Sequence, residues 1–222
     1  PVVVKTDHLK IWFPIQRGIL KRTVGHIQAV NEATFSVRAG ETLGIVGESG
    51  SGKTTLALAF ARLIGAQGNI KFLNQEIQGL TQKQMRPLRS DMQIVFQDPF
   101  GSLSPRMPIV DIIAEGLSVH GIEAGQSKRE MVAETMREVG LNPEMMDRYP
   151  HEFSGGQRQR HGLAYIFISH DLKVVRALSH KVMVMRAGDV VEAGTASDVF
   201  DAPKSDYTKA LMAAAFEGRA IA

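Results

Sequence analysis

With 222 residues, 44% of them hydrophobic, 22% charged and only 9 prolines, the chain can bury a substantial core, and its composition excludes collagen-like, mucin-like and disordered classes. The net charge is +3, and the basic residues are scattered in short pairs such as Lys21-Arg22 and Lys128-Arg129, so no polybasic tail marks nucleic acid or a lipid surface as a direct partner. The absence of cysteine removes disulfides, thiolate zinc sites and cysteine nucleophiles, and fits a reducing compartment. The longest apolar stretch, residues 56–66, is interrupted by Arg62 and falls short of the roughly 20 residues that span a bilayer. No signal peptide opens the chain, so any membrane association is expected to run through a protein partner.

Residues 2–13 are rich in β-branched and apolar side chains and stop at Pro14, and residues 30–37 read similarly before the turn Arg38-Ala39-Gly40; both are predicted strands. Residues 43–46 form a short apolar run that breaks into a glycine-rich loop, after which residues 53–64 have a helical pattern ending at Gly65. Residues 69–73 and 92–96 are further predicted strands, the second running into the breaker Asp98-Pro99. Between Pro108 and Tyr149 the period changes: Ile109, Ile112 and Ile113 recur at helical spacing, and residues 131–139 continue with Glu134 and Glu138 outward, predicting a helical subdomain. Residues 163–168 and 182–185 return to continuous apolar strands, as in a parallel sheet covered on both faces. The fold class is therefore α/β.

Gly47-Glu48-Ser49-Gly50-Ser51-Gly52-Lys53-Thr54 fits the phosphate-loop pattern G-x-x-x-x-G-K-[ST] and lies after a predicted strand and before a predicted helix, the context its mechanism requires. Glycines let the backbone curl so that successive N–H groups converge on phosphate oxygens, and the helix start adds the positive end of its dipole. Lys53 is placed to reach the β- and γ-phosphates and Thr54 to ligate Mg²⁺, with Thr55 the next hydroxyl in line.

Three further segments narrow the reading. Phe153-Ser154-Gly155-Gly156-Gln157-Arg158-Gln159-Arg160 is similar to the signature motif of ABC-transporter ATPases, Val95-Phe96-Gln97-Asp98-Pro99 resembles their Q-loop, and Phe167-Ile168-Ser169-His170-Asp171 resembles their switch-histidine segment, all in family order. The resemblance covers nearly the whole chain. It is strongest to the ATPase subunits of dipeptide and oligopeptide importers, through residues 46–53, Gln97-Asp98-Pro99 with Ser102-Leu103-Ser104-Pro105-Arg106, and a tail, residues 203–211, containing Tyr207-Thr208-Lys209-Ala210-Leu211.

The resemblance implies a P-loop NTPase core of parallel strands, with an antiparallel β portion and an α-helical insert. The expected division is residues 1–100 and 161–222 for the nucleotide-binding core and residues 101–160 for the helical signature subdomain. It further implies ATP and Mg²⁺ as ligands and a head-to-tail pairing in which Ser154, Gly155, Gly156 and Gln157 of one domain cover the γ-phosphate held by the loop of a second. Ser154 suits this role as a helix cap, and the glycines permit close backbone approach. Gln97 would reach Mg²⁺ or the attacking water, and His170 would hydrogen-bond the γ-phosphate, its titration range letting it donate or accept at neutral pH. Lys53, Gln97 and His170 are thus the candidate catalytic residues. Phe13 is favoured by position to stack on adenine, although it and Trp12 are equally explained as sheet packing.

The implied function is ATP hydrolysis that drives peptide import. Its partners are membrane subunits, a second ATP-binding domain (a copy, a paralogue or a linked repeat) and, indirectly, a periplasmic or extracellular substrate-binding protein. No nucleic acid is involved, and the place is the cytoplasmic face of the bacterial inner membrane, reached peripherally. A chromosome or repair ATPase of the same signature is the rival, disfavoured by the lack of sustained heptads between Lys53 and Ser154.

One family element is missing. A buried strand ending in aspartate and a catalytic glutamate should follow the signature helix, yet Arg160 runs at once into His161-Gly162-Leu163, which in related chains comes about forty residues later. Either a segment is omitted from the sequence at this junction, which is the favoured reading, or the protein is a catalytically silent ATP-binding regulator. Omission predicts Cα atoms of Arg160 and His161 far beyond the ~3.8 Å of a trans peptide.

Overall fold

Two long strands, β1 (Val2–Arg17) and β2 (Arg22–Arg38), form an antiparallel hairpin. In the computed structural model, which describes residues 1–18, 21–94, 104, 106–119, 127–138, 140–149 and 163–217, both strands outrun their predicted lengths. β1 passes straight through Pro14, which pairs with His26. It can do so because the opposite neighbour of β1, β4 (Gln67–Phe72), pairs only as far as Lys10, so the proline lies on an edge where a missing amide is tolerated. A short β5 (Gln75–Glu76) pairs antiparallel with β4.

The apolar run after β2 forms β3 (Thr42–Val46), which pairs in parallel on one side with β6 (Tyr165–Ile168) and on the other with β7 (Lys181–Arg186). β8 (Asp189–Thr195) returns antiparallel on β7 and touches β2 through one parallel bridge, Glu32 to Asp189. The sheet order among the described residues is β5-β4-β1-β2-β8-β7-β3-β6, a parallel core continued by an antiparallel portion, which is the expected α/β architecture. β7 is buried from Val182 to Met185, as its continuous apolar pattern requires. β6 is only half-buried, and among the described residues it ends the sheet with a partner on one side.

Of the strand predicted at residues 92–96, residues 92–94 carry no regular structure, and residues 95–96 lie outside the described residues. α1 (Lys53–Phe60) is shorter than its periodicity suggests. The chain leaves the helix at Arg62, whose backbone takes a positive φ of 56° and whose guanidinium donates to the carbonyls of Ile77 and Leu80 at 3.1 Å each. The charge that interrupts the apolar stretch is thus used to end the helix and to tie down the loop after β5.

Among the described residues, contacts divide the chain into two units, residues 1–85 with 161–222 and residues 86–160; α2 (Gln82–Leu88) lies in sequence across the boundary. Within the second, α3 (Ile109–Val119) packs on α4 (Lys128–Glu138) through Val110, Ala114, Val132, Ala133 and Met136. Arg129 closes that unit with a two-pronged ion pair to Asp147 at 2.9 and 2.7 Å. In the first unit, α5 (Leu172–Leu178), α6 (Ala196–Asp201) and α7 (Asp206–Glu217) gather over Val46, Val182 and Val184.

The approach to α7 is held by Glu192, whose two carboxylate oxygens accept from the amides of Lys204 and Ser205 at 2.9 and 3.0 Å. Burial alone would raise the pKa of Glu192, but these amides outweigh it and hold the carboxyl below its ordinary value of 4.5. A depressed carboxyl stabilises the fold above its unfolded pKa and loses that contribution as pH falls through the folded one. Glu192→Ala is therefore expected to cost about 1–3 kcal/mol at pH 7, and thermal melts of variant and parent should converge as pH drops below 4.5; parallel melting curves from pH 7 to 3 would contradict this account.

Candidate nucleotide-binding site

β3 and β6 end side by side, with Ile45 opposite Ile168, so the segments that follow them emerge from the same carboxyl edge of the parallel core. This is where open α/β sheets bind ligands. From β3 emerges the loop of residues 47–52, and from β6 emerges Ser169-His170-Asp171.

The loop is shaped by close backbone approach. Gly47 has φ +145°, and a Cβ there would stand 2.1 Å from the carbonyl oxygen of Met185; Gly52 has φ +102°, and a Cβ there would meet the carbonyl oxygen of Ala29 at 2.3 Å. No side chain fits either place. A turn between β7 and β8, next to Ala29, clasps the loop: the Gly188 amide donates to Ser51 O at 3.1 Å, and Gly188 O accepts from the Asn31 amide at 2.8 Å. Ser51 is buried, whereas Glu48, Ser49, Gly50 and Thr54 face solvent.

Gly52 is the N-cap of α1 and supplies no side-chain cap, so the amides of Lys53, Thr54 and Thr55 have neither an intrahelical acceptor nor a capping oxygen. These uncapped donors at the positive end of the helix fit phosphate oxygens. The Lys53 ammonium arches over the loop, donating to Gly47 O at 2.9 Å, Glu48 O at 2.6 Å and Ser51 Oγ at 3.2 Å. Burial lowers the pKa of Lys53, and the Glu48 carboxylate partly offsets this. Of the expected Mg²⁺ ligands, the Thr54 hydroxyl stands exposed at the helix start, where a cation beside the phosphates would lie; Gln97 falls outside the described residues.

His170 is exposed and sits in a tightly turned segment. Asp171 caps α5, accepting from the amides of Lys173 and Val174 at 3.0 and 3.3 Å, and Ser169 Oγ accepts from the Asp171 amide at 3.0 Å. Gly47 and His170 line one cavity of about 230 Å³, with Leu211 and Ala214 of α7 also on its wall. Two motifs more than a hundred residues apart in sequence thus meet at one site. Phe13 pairs with Ile27 in the distal half of the hairpin, just past Ala29; they are 39% and 59% exposed, so this apolar pair is left uncovered beside the loop. Trp12, at 37%, is exposed as well, whereas Leu9 and Ile11 are fully buried.

Ser154, Gly155, Gly156 and Gln157, and the junction of Arg160 with His161, lie outside the described residues. Two contacts were not legible as site features: the turn at Gly188, and Tyr207 on α7, whose hydroxyl accepts from the Glu48 amide at 3.3 Å. A glycine after a strand signals only a turn, and a tyrosine at a helix start signals only packing.

The model of the family described as ABC transporter matches residues 30–173. The chain is 46% identical to a peptidoglycan transport ATP-binding protein, YejF, of Agrobacterium fabrum, covering all of this chain and 48% of that protein, and 40% identical to a glutathione import ATP-binding protein, GsiA, of Escherichia coli, covering 96% and 41%. It therefore spans about half the length of the curated relatives it matches. The alignment with YejF runs over 263 positions where this chain has 222 residues, so the relative carries residues within the matched span that have no counterpart here. Among solved structures, a dimeric bacterial ABC transporter cassette superposes with a TM-score of 0.66 at 19% identity, covering 87% of this chain and 98% of that one. A Clostridium perfringens subunit of the cbiONQ ABC transporter complex superposes with a TM-score of 0.69 at 20% identity, covering 98% and 96%. These two likenesses show the fold.

The close approaches in the loop make a direct test. Gly52→Ala must push the Ala29 carbonyl away and is expected to abolish binding of a fluorescent ATP analogue and lower the melting temperature. At Gly50, with φ +79° and nothing within 4 Å, alanine should cost only the backbone penalty of about 1–2 kcal/mol and leave binding largely intact; equal effects of the two changes would show that the clasp does not shape the site. A match that takes in well over half of the sequence, from the middle of β2 to the start of α5, leaves one assignment: the chain belongs to the ABC transporter ATP-binding family.

Proposed function

We propose that the chain is an ATP-binding domain of an importer, taking Mg²⁺-ATP at residues 47–55 and contributing to ATP hydrolysis that drives uptake of peptides or peptide-like solutes through membrane subunits. The observation that carries this reading is the uncapped start of α1, wrapped by the glycine loop and roofed by the Lys53 ammonium. The names of the relatives, peptidoglycan transport and glutathione import, support the solute class, since both cargoes contain peptide bonds.

In this reading the loop amides and Lys53 bind and orient the phosphates, Thr54 holds Mg²⁺, and Phe13 with Ile27 receives the base. Mg²⁺, when bound, neutralises charge on the phosphate oxygens. His170 hydrogen-bonds the terminal phosphate from the neighbouring strand end, a role supported by the cavity that it lines together with Gly47. Gln97 completes the metal side. Ser154, Gly155, Gly156 and Gln157 cover the nucleotide of a second ATP-binding domain, whether a copy, a paralogue or a linked repeat. The partners are membrane subunits and, through them, an external substrate-binding protein, placing the domain peripherally at the cytoplasmic membrane face. No helix among the described residues is long and apolar enough to cross a membrane.

The glutamate expected as general base is not among residues 161–165, which follow the signature segment. The longer alignment span of the relative supports a segment between Arg160 and His161 that would supply it. The direct junction of Arg160 with His161 instead favours a second reading, a domain that binds ATP without turnover.

Lys53→Ala should abolish Mg²⁺-ATP binding measured by titration, since it removes the charge over the loop; unchanged affinity would refute the assignment. Phosphate release by the unaltered chain separates the two readings: turnover above the buffer blank, lost in Lys53→Ala, excludes the silent domain, and binding without release excludes hydrolysis by this chain.

A further inference from the structure

The tail of the chain touches the phosphate loop through one side chain. Tyr207 is buried at 8% exposure among Val46, Leu172, Val175, Val184 and Leu211, and its ring lies under the Arg186 guanidinium, 4.8 Å from the centroid. Its hydroxyl emerges from this packing to accept from the Glu48 amide at 3.3 Å. The Glu48 carbonyl, on the other side of the same residue, accepts from Lys53 Nζ at 2.6 Å and from the Ser51 amide at 3.2 Å. Glu48 is therefore held by a phenol from α7 on one side and by the phosphate-binding lysine on the other.

We infer that Tyr207 is a positioning residue for nucleotide: by engaging the Glu48 amide it sets the tilt of the first turn of the phosphate loop, and so couples the docking of α7 to affinity for the triphosphate. A phosphate loop works by the direction of its N–H groups, so a conformation fixed in advance binds more tightly than one that must be ordered on binding. α7 is placed for such coupling: Leu211 and Ala214, one turn and two turns along from Tyr207, line the cavity shared by Gly47 and His170. The helix is in turn anchored through Glu192.

The inference rests on nucleotide binding at residues 47–55, and its test separates the two. Tyr207→Phe keeps the ring, its burial and the Arg186 stacking and removes only the hydroxyl. Titration with a fluorescent ATP analogue and Mg²⁺ should show affinity weakened roughly threefold to tenfold, the worth of one neutral hydrogen bond, with a melting temperature within about 2 °C of the parent. Tyr207→Leu should weaken binding at least as much and also lower the melting temperature. If the parent binds and Tyr207→Phe binds equally well, the hydroxyl does not position the loop and this inference falls while the nucleotide assignment stands. If the parent itself takes up no nucleotide, both fall.

Discussion

The site depends on how closely two backbones meet at Gly52. The carbonyl of Ala29 on β2 occupies the space a side chain would need, and the adjoining Gly188 turn holds the Ser51 carbonyl. The amides that open α1 have no side-chain cap from Gly52, and the loop of residues 47–52 is held by one seat that the hairpin and the β7–β8 turn build together. Without it, a chain with φ beyond +100° at two glycines would have many alternative conformations. The antiparallel portion thus helps to shape the loop of residues 47–52 through Ala29.

A second constraint is the parallel register of β3 with β6 and β7. Parallel strands deliver their carboxyl ends to one edge, so the residues after Val46 and after Ile168 become neighbours although they lie far apart in sequence. His170 gains its place from this pairing, next to the cap that Asp171 provides to α5. Charge follows the same geometry: the carbonyls of Gly47 and Glu48 draw the Lys53 ammonium inward, where burial weakens its hold on a proton and the Glu48 carboxylate works against that loss.

The helices over the other face connect the site to the end of the chain. Val46, the last residue before the loop, packs in the same cluster as Leu172 of α5 and Tyr207, Leu211 and Met212 of α7. Glu192 and Tyr207 act at successive points of this tail, one holding the approach to α7 through a carboxylate and the other holding the loop through a phenol.

Several features were readable from the sequence alone: the α/β class, the phosphate loop between strand and helix, the helical stretch after Pro108 and the family. Each depends on local pattern or on a spacing that chemistry restricts, such as two glycines and a lysine set for a phosphate, and such patterns survive without knowledge of long-range contacts. The tertiary structure alone decided where β1 and β2 end, that α1 stops at Phe60 where Arg62 reaches across to Ile77 and Leu80, and that residues 92–94 form no strand. It alone brought Ala29, Gly188 and Tyr207 to the loop. These depend on which strands become neighbours and on what a backbone carbonyl or a hydroxyl meets after the sheet closes, and no local period encodes a contact between separate elements of the fold.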